Sequence, residues 1–362
     1  MDNRSIETPL ERAERFIARS TPEPKDFGRI YDADDIESDI KEVEDFKQTP
    51  NYKEKEKRTD SVLLETTFIN RADQDDWFGE GKSYFDDPEW QPMINFPTSE
   101  ADDYFHHIDV ISVINNETTG HEAMPFAIDL TYNITPDDLK KKFGWTHVYG
   151  KTDNAPEGVS EFGYSGIKKD KIGNDYIDTW PLARRFRRGL KIPGFASAKY
   201  FEDKNDPWNP VLEKGRIEMM PRFVVGYSTE LSDQLAAGMP SHEFKMTHSD
   251  ADYQRKVTAF QKAATKAKWC TLVECAEQAA AISGMLDALT PEETAKMDPD
   301  ELSKAKKQVA IMKEYFDRAL AVAKEQAKTD PEEAEAMAYA DRDETRQMIA
   351  WQCRNTYNEK QW

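Results

Sequence analysis

Three things are scarce in this sequence. Cysteine is the first: Cys270, Cys275 and Cys353 are the only ones in 362 residues. They form neither an even disulfide framework nor a paired zinc spacing. Cys270 and Cys275 are five apart on an expected helix, so they point about 140° apart at about 3.6 residues per turn. Free thiols in a reducing, cytoplasmic compartment are the expectation. Long apolar runs are the second absence. No stretch of about 18 apolar residues occurs, which excludes a spanning helix. The opening MDNRSIETPLERAERF is charged and lacks the apolar segment of a secretory leader. Positive charge is the third: 49 Lys+Arg stand against 69 Asp+Glu, a net charge of −20. Such a surface repels a phosphate backbone as a whole, so any nucleic-acid contact has to come from a local basic patch.

What is present argues for a folded core over part of the chain. The 8 Trp, 14 Tyr and 18 Phe weigh against wholesale disorder, although 33% of residues are charged. Residues 1–59 read as an acidic, loosely ordered arm; residues 1–60 hold 17 acids against 12 bases. Residues 60–240 read as an α/β core. Thr59 or Asp60 caps a helix beginning SVLLETTFI. An aromatic, proline-broken stretch with Trp77, Phe78, Tyr84, Phe85 and Trp90 follows, expected as an ordered loop over the core. The segments His106–Ile114 and Pro125–Tyr132 read as two strands of a hairpin. After them come a helix starting at Thr135-Pro136, a short helix WPLARRFRRGLKI and a buried strand Pro221–Ser228.

Residues 249–362 read as helical. Helices are expected over Asp250–Leu289, over Glu301–Lys328, and from Asp330 to about Tyr357. They are opened by Thr290-Pro291, Asp298-Pro299 and Asp330-Pro331 with acids in the next turn. Alanine-rich faces suit close packing in a hairpin bundle partly docked on the core. No internal repeat emerges.

The order of the carboxylates carries the chemistry. Glu65 lies on a helix, Asp109 on the next strand pair's first member, and Asp129 on its second, with Thr131 two residues on. Alternation along a strand puts Asp129 and Thr131 on one face and Ile128, Leu130 and Tyr132 on the other. If the hairpin pairs through the turn at 115–120, Asp109 lies beside Asp129. Carboxylates converging this way hold a hard divalent cation and position a water on a phosphodiester. The plain structural reading competes with this one. An aspartate inside an apolar strand costs roughly 2–7 kcal/mol if unpaired, so each needs an arginine, a backbone donor, water or a cation.

This order resembles the PD-(D/E)XK nuclease-like superfamily, over roughly residues 60–230. The resemblance implies a restriction-endonuclease-like α-β-β-β-α-β core, a mixed sheet flanked by helices, here with a C-terminal helical bundle. It implies Mg²⁺ or Mn²⁺ held by Glu65, Asp109 and Asp129, and hydrolysis of DNA or RNA. Asp129-Leu130-Thr131 takes the place of the family's acid-x-lysine motif, with Thr131 where the lysine belongs. Threonine carries no ammonium. The helix lysines Lys140, Lys141 and Lys142 are the candidates for a migrated catalytic lysine, and some relatives of this kind are inactive.

A basic patch supplies the expected nucleic-acid contact. Arg184, Arg187, Arg188 and Lys191 share one helical side, with Arg185 beside them. Residues 140–222 hold 17 Lys+Arg against 11 Asp+Glu. The same patch suits pairing with the chain's own acidic segments. His106 and His107 are adjacent on a strand, so they point to opposite faces and share no ion. Gly163-Tyr164-Ser165-Gly166 and the glycines at 144 and 150 lack the strand–glycine–helix setting of a phosphate loop. The rival function is a structural or interaction protein, without catalysis, that assembles with a partner or with itself through the C-terminal helices. No membrane partner is expected.

Overall fold

The computed structural model describes residues 33–48, 59–74, 93–98, 108–114, 124–132, 167–169, 175–177, 194–201, 215–238, 242–295 and 299–358. It also describes residues 15, 21, 77, 134–136, 139, 142, 143 and 297. Among these, the chain is α+β. Two helices, α1 (Ala33–Lys47) and α2 (Thr59–Gln74), precede the strands β1 (Met93–Pro97), β2 (Val110–Ile114) and β3 (Met124–Tyr132). Short strands β4 (Ile167–Lys169) and β5 (Asp175–Ile177) pair with each other, and β6 (Phe195–Phe201) and β7 (Gly215–Tyr227) follow. The rest is helical: α3 (Thr229–Ala236), α4 (His242–Thr247), α5 (Asp250–Asp287), α6 (Pro291–Thr294), α7 (Pro299–Gln326), α8 (Pro331–Ala340) and α9 (Glu344–Asn358). No helix among the described residues is long and apolar enough to cross a membrane.

The main sheet is mixed, with strand order β1-β2-β3-β7-β6. The hairpin expected from sequence forms, with Val110 opposite Ile128 and Ile114 opposite Met124. Strand β7 runs parallel to β3, with Ala127 opposite Arg222 and Tyr132 opposite Tyr227. Its first half pairs antiparallel with β6, ending at Phe195 opposite Pro221. Strand β7 is thus longer than the expected Pro221–Ser228. Pro221 marks the changeover from one neighbour to the other, a place where a missing ladder N–H is tolerated. Between β3 and β7, Pro136, Leu139, Lys142 and Phe143 are helical, and the Leu139 N–H donates to the Thr135 carbonyl at 3.0 Å.

Beyond Pro221, no strand among the described residues lies beside the outer edge of β7. Helix α5 covers it with side chains. The Val224 N–H donates to Gln278 Oε1 at 2.9 Å, and Gln278 Nε2 donates back to the Val224 carbonyl at 2.6 Å. One helical turn earlier, Glu274 Oε2 accepts the Gly226 N–H at 3.0 Å. The spacing matches because four helical residues rise about 6 Å and two strand residues about 6.6 Å. An edge covered this way is closed to pairing with another chain.

The buried cluster is continuous. It runs from Leu64 and Phe68 of α2, through the sheet, to Ile349, Cys353 and Tyr357 of α9. Phe126 of β3 and Phe223 of β7 meet Phe316 of α7 edge-on, each with ring centroids 5.5 Å from it. Sheet and C-terminal helices share this core across the chain boundary drawn between 240 and 249. Helix α5 is buried on several sides because β7 lies against it, as do α7, α8 and α9. That is why Cys270 and Cys275, pointing in different directions, are both buried; all three cysteines are free.

Helices start at all three proline sites read from sequence: α6 at Pro291, α7 at Pro299 and α8 at Pro331. Thr290 and Glu293 form a capping box, and Asp330 caps α8 with Pro331 at its first position. The third helix expected from Asp330 to Tyr357 is two helices. Asp343 ends the first segment by accepting the Arg346 N–H at 2.9 Å, starting α9 afresh. In the aromatic stretch, Trp77 is buried and meets Phe68 edge-on at 5.5 Å.

Candidate functional site

The two aspartates of the hairpin have separate partners. Asp109 lies one residue before β2. Its N–H donates to the Ile128 carbonyl at 2.9 Å, and its carbonyl accepts the Thr98 N–H at 3.3 Å. Its carboxylate Oδ2 accepts the Leu130 N–H at 2.6 Å. Strand β2 stops here, so the side chain supplies the acceptor that the next ladder carbonyl would have supplied.

Asp129 sits in the middle of β3, 1% exposed. By register it lies across from Asp109, one step beyond the Val110–Ile128 pair. Both of its oxygens are taken. Lys142 Nζ pairs with Oδ1, and Arg222 Nη2 pairs with Oδ2. Arg222 is 2% exposed and sits on the diagonal of the parallel pairing, opposite Ala127. Its Nη1 donates to the Lys142 carbonyl at 3.0 Å, so one guanidinium ties β7, β3 and the helical stretch together. A buried pair of this sort holds only where further hydrogen bonds support it, and here both carboxylate oxygens and two guanidinium nitrogens are engaged.

Counting formal charges, Asp109 and Asp129 are balanced by Lys142 and Arg222. Glu65 lies in α2, partly buried. Among the described residues, no group of three His, Cys, Asp or Glu side chains comes together to hold a metal ion.

Thr131, two residues after Asp129 on β3, is 6% exposed. Its Cγ2 lies 3.0 Å from where a Cβ on Gly226 would stand, a point also crowded by Ile349 and Thr345 of α9. The threonine therefore faces packed helix rather than open solvent. Lys140, Lys141 and the basic patch Arg184, Arg185, Arg187, Arg188 and Lys191 lie outside the described residues.

Sequence alone does not distinguish Lys142 from its neighbours Lys140 and Lys141. Arg222 does carry a signal, because a lone arginine in the apolar strand PRFVVGYS demands a buried acid.

A second polar cluster stands at the C-terminal end of β7, and sequence gave no sign of it. Ser228 Oγ and Tyr339 Oη lie 2.7 Å apart, and Tyr339 donates to Asp343 Oδ2 at 3.0 Å. Ser228 Oγ also accepts the Leu231 N–H, capping α3. Burial pushes the Tyr339 phenol well up, with the Asp343 carboxylate opposing its ionisation too. The cluster joins the start of α3 to the α8–α9 junction. Each of its contacts is internal.

No family model, curated protein or solved structure matches the chain.

Proposed function

We propose that this chain is a catalytically degenerate relative of the PD-(D/E)XK nucleases that binds nucleic acid without cutting it. The observation carrying this reading is the occupation of both Asp129 oxygens by Lys142 and Arg222. Two cations already neutralise the two aspartates, so a divalent ion gains little by entering. A metal that activates water needs open coordination positions and acidic ligands. The order helix, three strands, helical stretch and parallel strand supports the nuclease-like part of the reading. The nucleic-acid part rests on the basic stretch 140–222, whose arginines suit phosphate oxygens.

One contact favours a second reading, an active Mg²⁺- or Mn²⁺-dependent nuclease. Lys142 touches the Asp129 carboxylate, as a migrated catalytic lysine would.

The experiment is a paired assay on the full chain. Labelled single- and double-stranded DNA and RNA are mixed with it in Mg²⁺ or Mn²⁺, and binding and cleavage are read together. Complex formation that weakens with salt, with no product, supports the degenerate reading. Product that disappears in both Asp129→Ala and Lys142→Ala supports the active one. No complex and no product leave the rival, an interaction protein working through its C-terminal helices.

A further inference from the structure

Glu274 and Gln278 occupy equivalent places on α5, one helical turn apart, above the same strand edge. Gln278 makes a two-point contact with Val224, accepting the N–H and donating to the carbonyl. Glu274 makes only half of that contact. Its Oε2 accepts the Gly226 N–H, while its Oε1 has no hydrogen-bond partner and is buried. Glu274 as a whole is 1% exposed. A carboxylate in such a place leaves one charged oxygen stranded in an apolar interior, which is costly. A neutral carboxylic acid has one acceptor and one O–H donor, the same pair of functions as a primary amide.

We infer that the docking of α5 on the β7 edge is proton-held. Glu274 acts as a neutral acid whose Oε1–H is the second point of contact toward the strand backbone at Gly226, and loss of that proton loosens the helix from the strand. The two neighbouring side chains then read as one ladder: an amide at 278 and an amide-like acid at 274. Further along the edge, the Arg222 N–H donates to the Gly194 carbonyl at 2.8 Å. A Cβ on Gly194 would stand 2.8 Å from Ile282, the next residue of α5 in the same row. Helix and strand β6 thus share the work of closing one edge.

The surroundings agree with a neutral acid. Burial pushes the Glu274 carboxyl well up from its ordinary value; the Gly226 N–H and Arg346 act against this, while Asp343 and Glu277 add to it. Arg346 is engaged elsewhere, donating to the Ala340 carbonyl and, at 3.4 Å, to Glu277. From the strand side, Tyr227 presents its phenol, bonded to Thr271 Oγ1 at 2.8 Å. Cys270 and Cys275, the other titratable groups near it on α5, are both held well above the usual thiol range, by burial first and then by Glu274. Tyr227 is likewise raised by burial. Neither the thiols nor the phenol add charge at neutral pH.

The direction of the pH effect follows. The folded state keeps the proton to higher pH than the unfolded chain does. Stability is full where both states are protonated. It falls as pH climbs from the ordinary glutamate range toward the raised folded value.

The test is urea unfolding of the full chain across pH 5 to 9, comparing wild type with Glu274→Gln and with Glu314→Gln, at an exposed position of α7, as a control. The expected result is that Glu274→Gln is at least as stable as wild type at the alkaline end, and that its advantage grows with pH, while the control follows wild type. Parallel pH profiles for wild type and Glu274→Gln would overturn the inference, as would a Glu274→Gln chain that fails to fold. Infrared spectroscopy in D₂O reads the same proton directly. Wild type is expected to show the carbonyl stretch of a protonated carboxylic acid at neutral pH, missing in Glu274→Gln. Its absence from wild type would equally overturn the inference.

Discussion

Arg222 and Asp129 meet across the parallel pairing of β7 and β3, both almost fully buried, with Lys142 closing the other side of the carboxylate. This contact decides how the site is read. An aspartate waiting for a metal should present its oxygens to water or to other acids. Asp129 presents them to two cations instead, and one of those cations also holds the carbonyl of the other's residue.

Removing one partner strands the rest. Arg222→Met is expected to lower stability by about 3 kcal/mol, because it leaves a buried carboxylate with only the partly exposed Lys142. Asp129→Leu is expected to cost a similar amount. The double variant, Arg222→Met with Asp129→Leu, is expected to regain most of the loss. Urea unfolding of the three variants completes a double-mutant cycle, and additive losses would show that the two residues do not act as a pair.

A lysine at position 131 is not expected to confer nuclease chemistry. Thr131→Lys puts an ammonium where Gly226, Ile349 and Thr345 leave no room. A loss of about 2 kcal/mol or more is expected from the unpaired buried charge and the overpacking together. Nuclease activity in that variant, above wild type, would mean that the position faces a cleft.

The sheet edge gives a third expectation. Gln278→Leu removes both partners of Val224 at once. Leaving a buried N–H and carbonyl unsatisfied costs about 1–3 kcal/mol each, so a loss of several kcal/mol is expected. Hydrogen exchange at the Val224 and Gly226 amides should rise by far more than exchange at Phe126 or Ile128 on the inner strands.

Crowding at Gly226 gives a fourth. The backbone there needs no left-handed conformation, but a Cβ would run into Ile349 and Thr345 of α9. Gly226→Ala is expected to destabilise the fold by about 1–3 kcal/mol, measured as a lowered urea midpoint, because helix α9 must shift to admit a methyl group.

The elements legible in the sequence were those specified locally. The hairpin of β2 and β3 follows from two β-branched runs around a turn. Helix α2 begins at Thr59, close to the start that Asp60 or Thr59 marks in the sequence, and α6, α7 and α8 each begin at a proline that follows Thr or Asp. What escaped was set by distant contacts. The first half of β7, GRIEMM, carries two charges and precedes a proline, so nothing local marks it as strand; its pairing with β6 does. The break at Asp343 is a cap inside a helix-forming sequence. At the site, the two aspartates and their adjacency were legible from alternation and turn position. Their partners were not, since Arg222 lies 93 residues from Asp129. The burial of Thr131 under α9 was out of reach for the same reason.

The most direct measurement is a Mn²⁺ titration followed by electron paramagnetic resonance, comparing wild type with Asp129→Asn. An acidic surface will take up some Mn²⁺ in both. If the ion pair stands in place of a metal, the two binding curves superimpose. A tight site present in wild type and lost in Asp129→Asn would contradict the account, because it would show Asp129 releasing Lys142 and Arg222 to hold the ion.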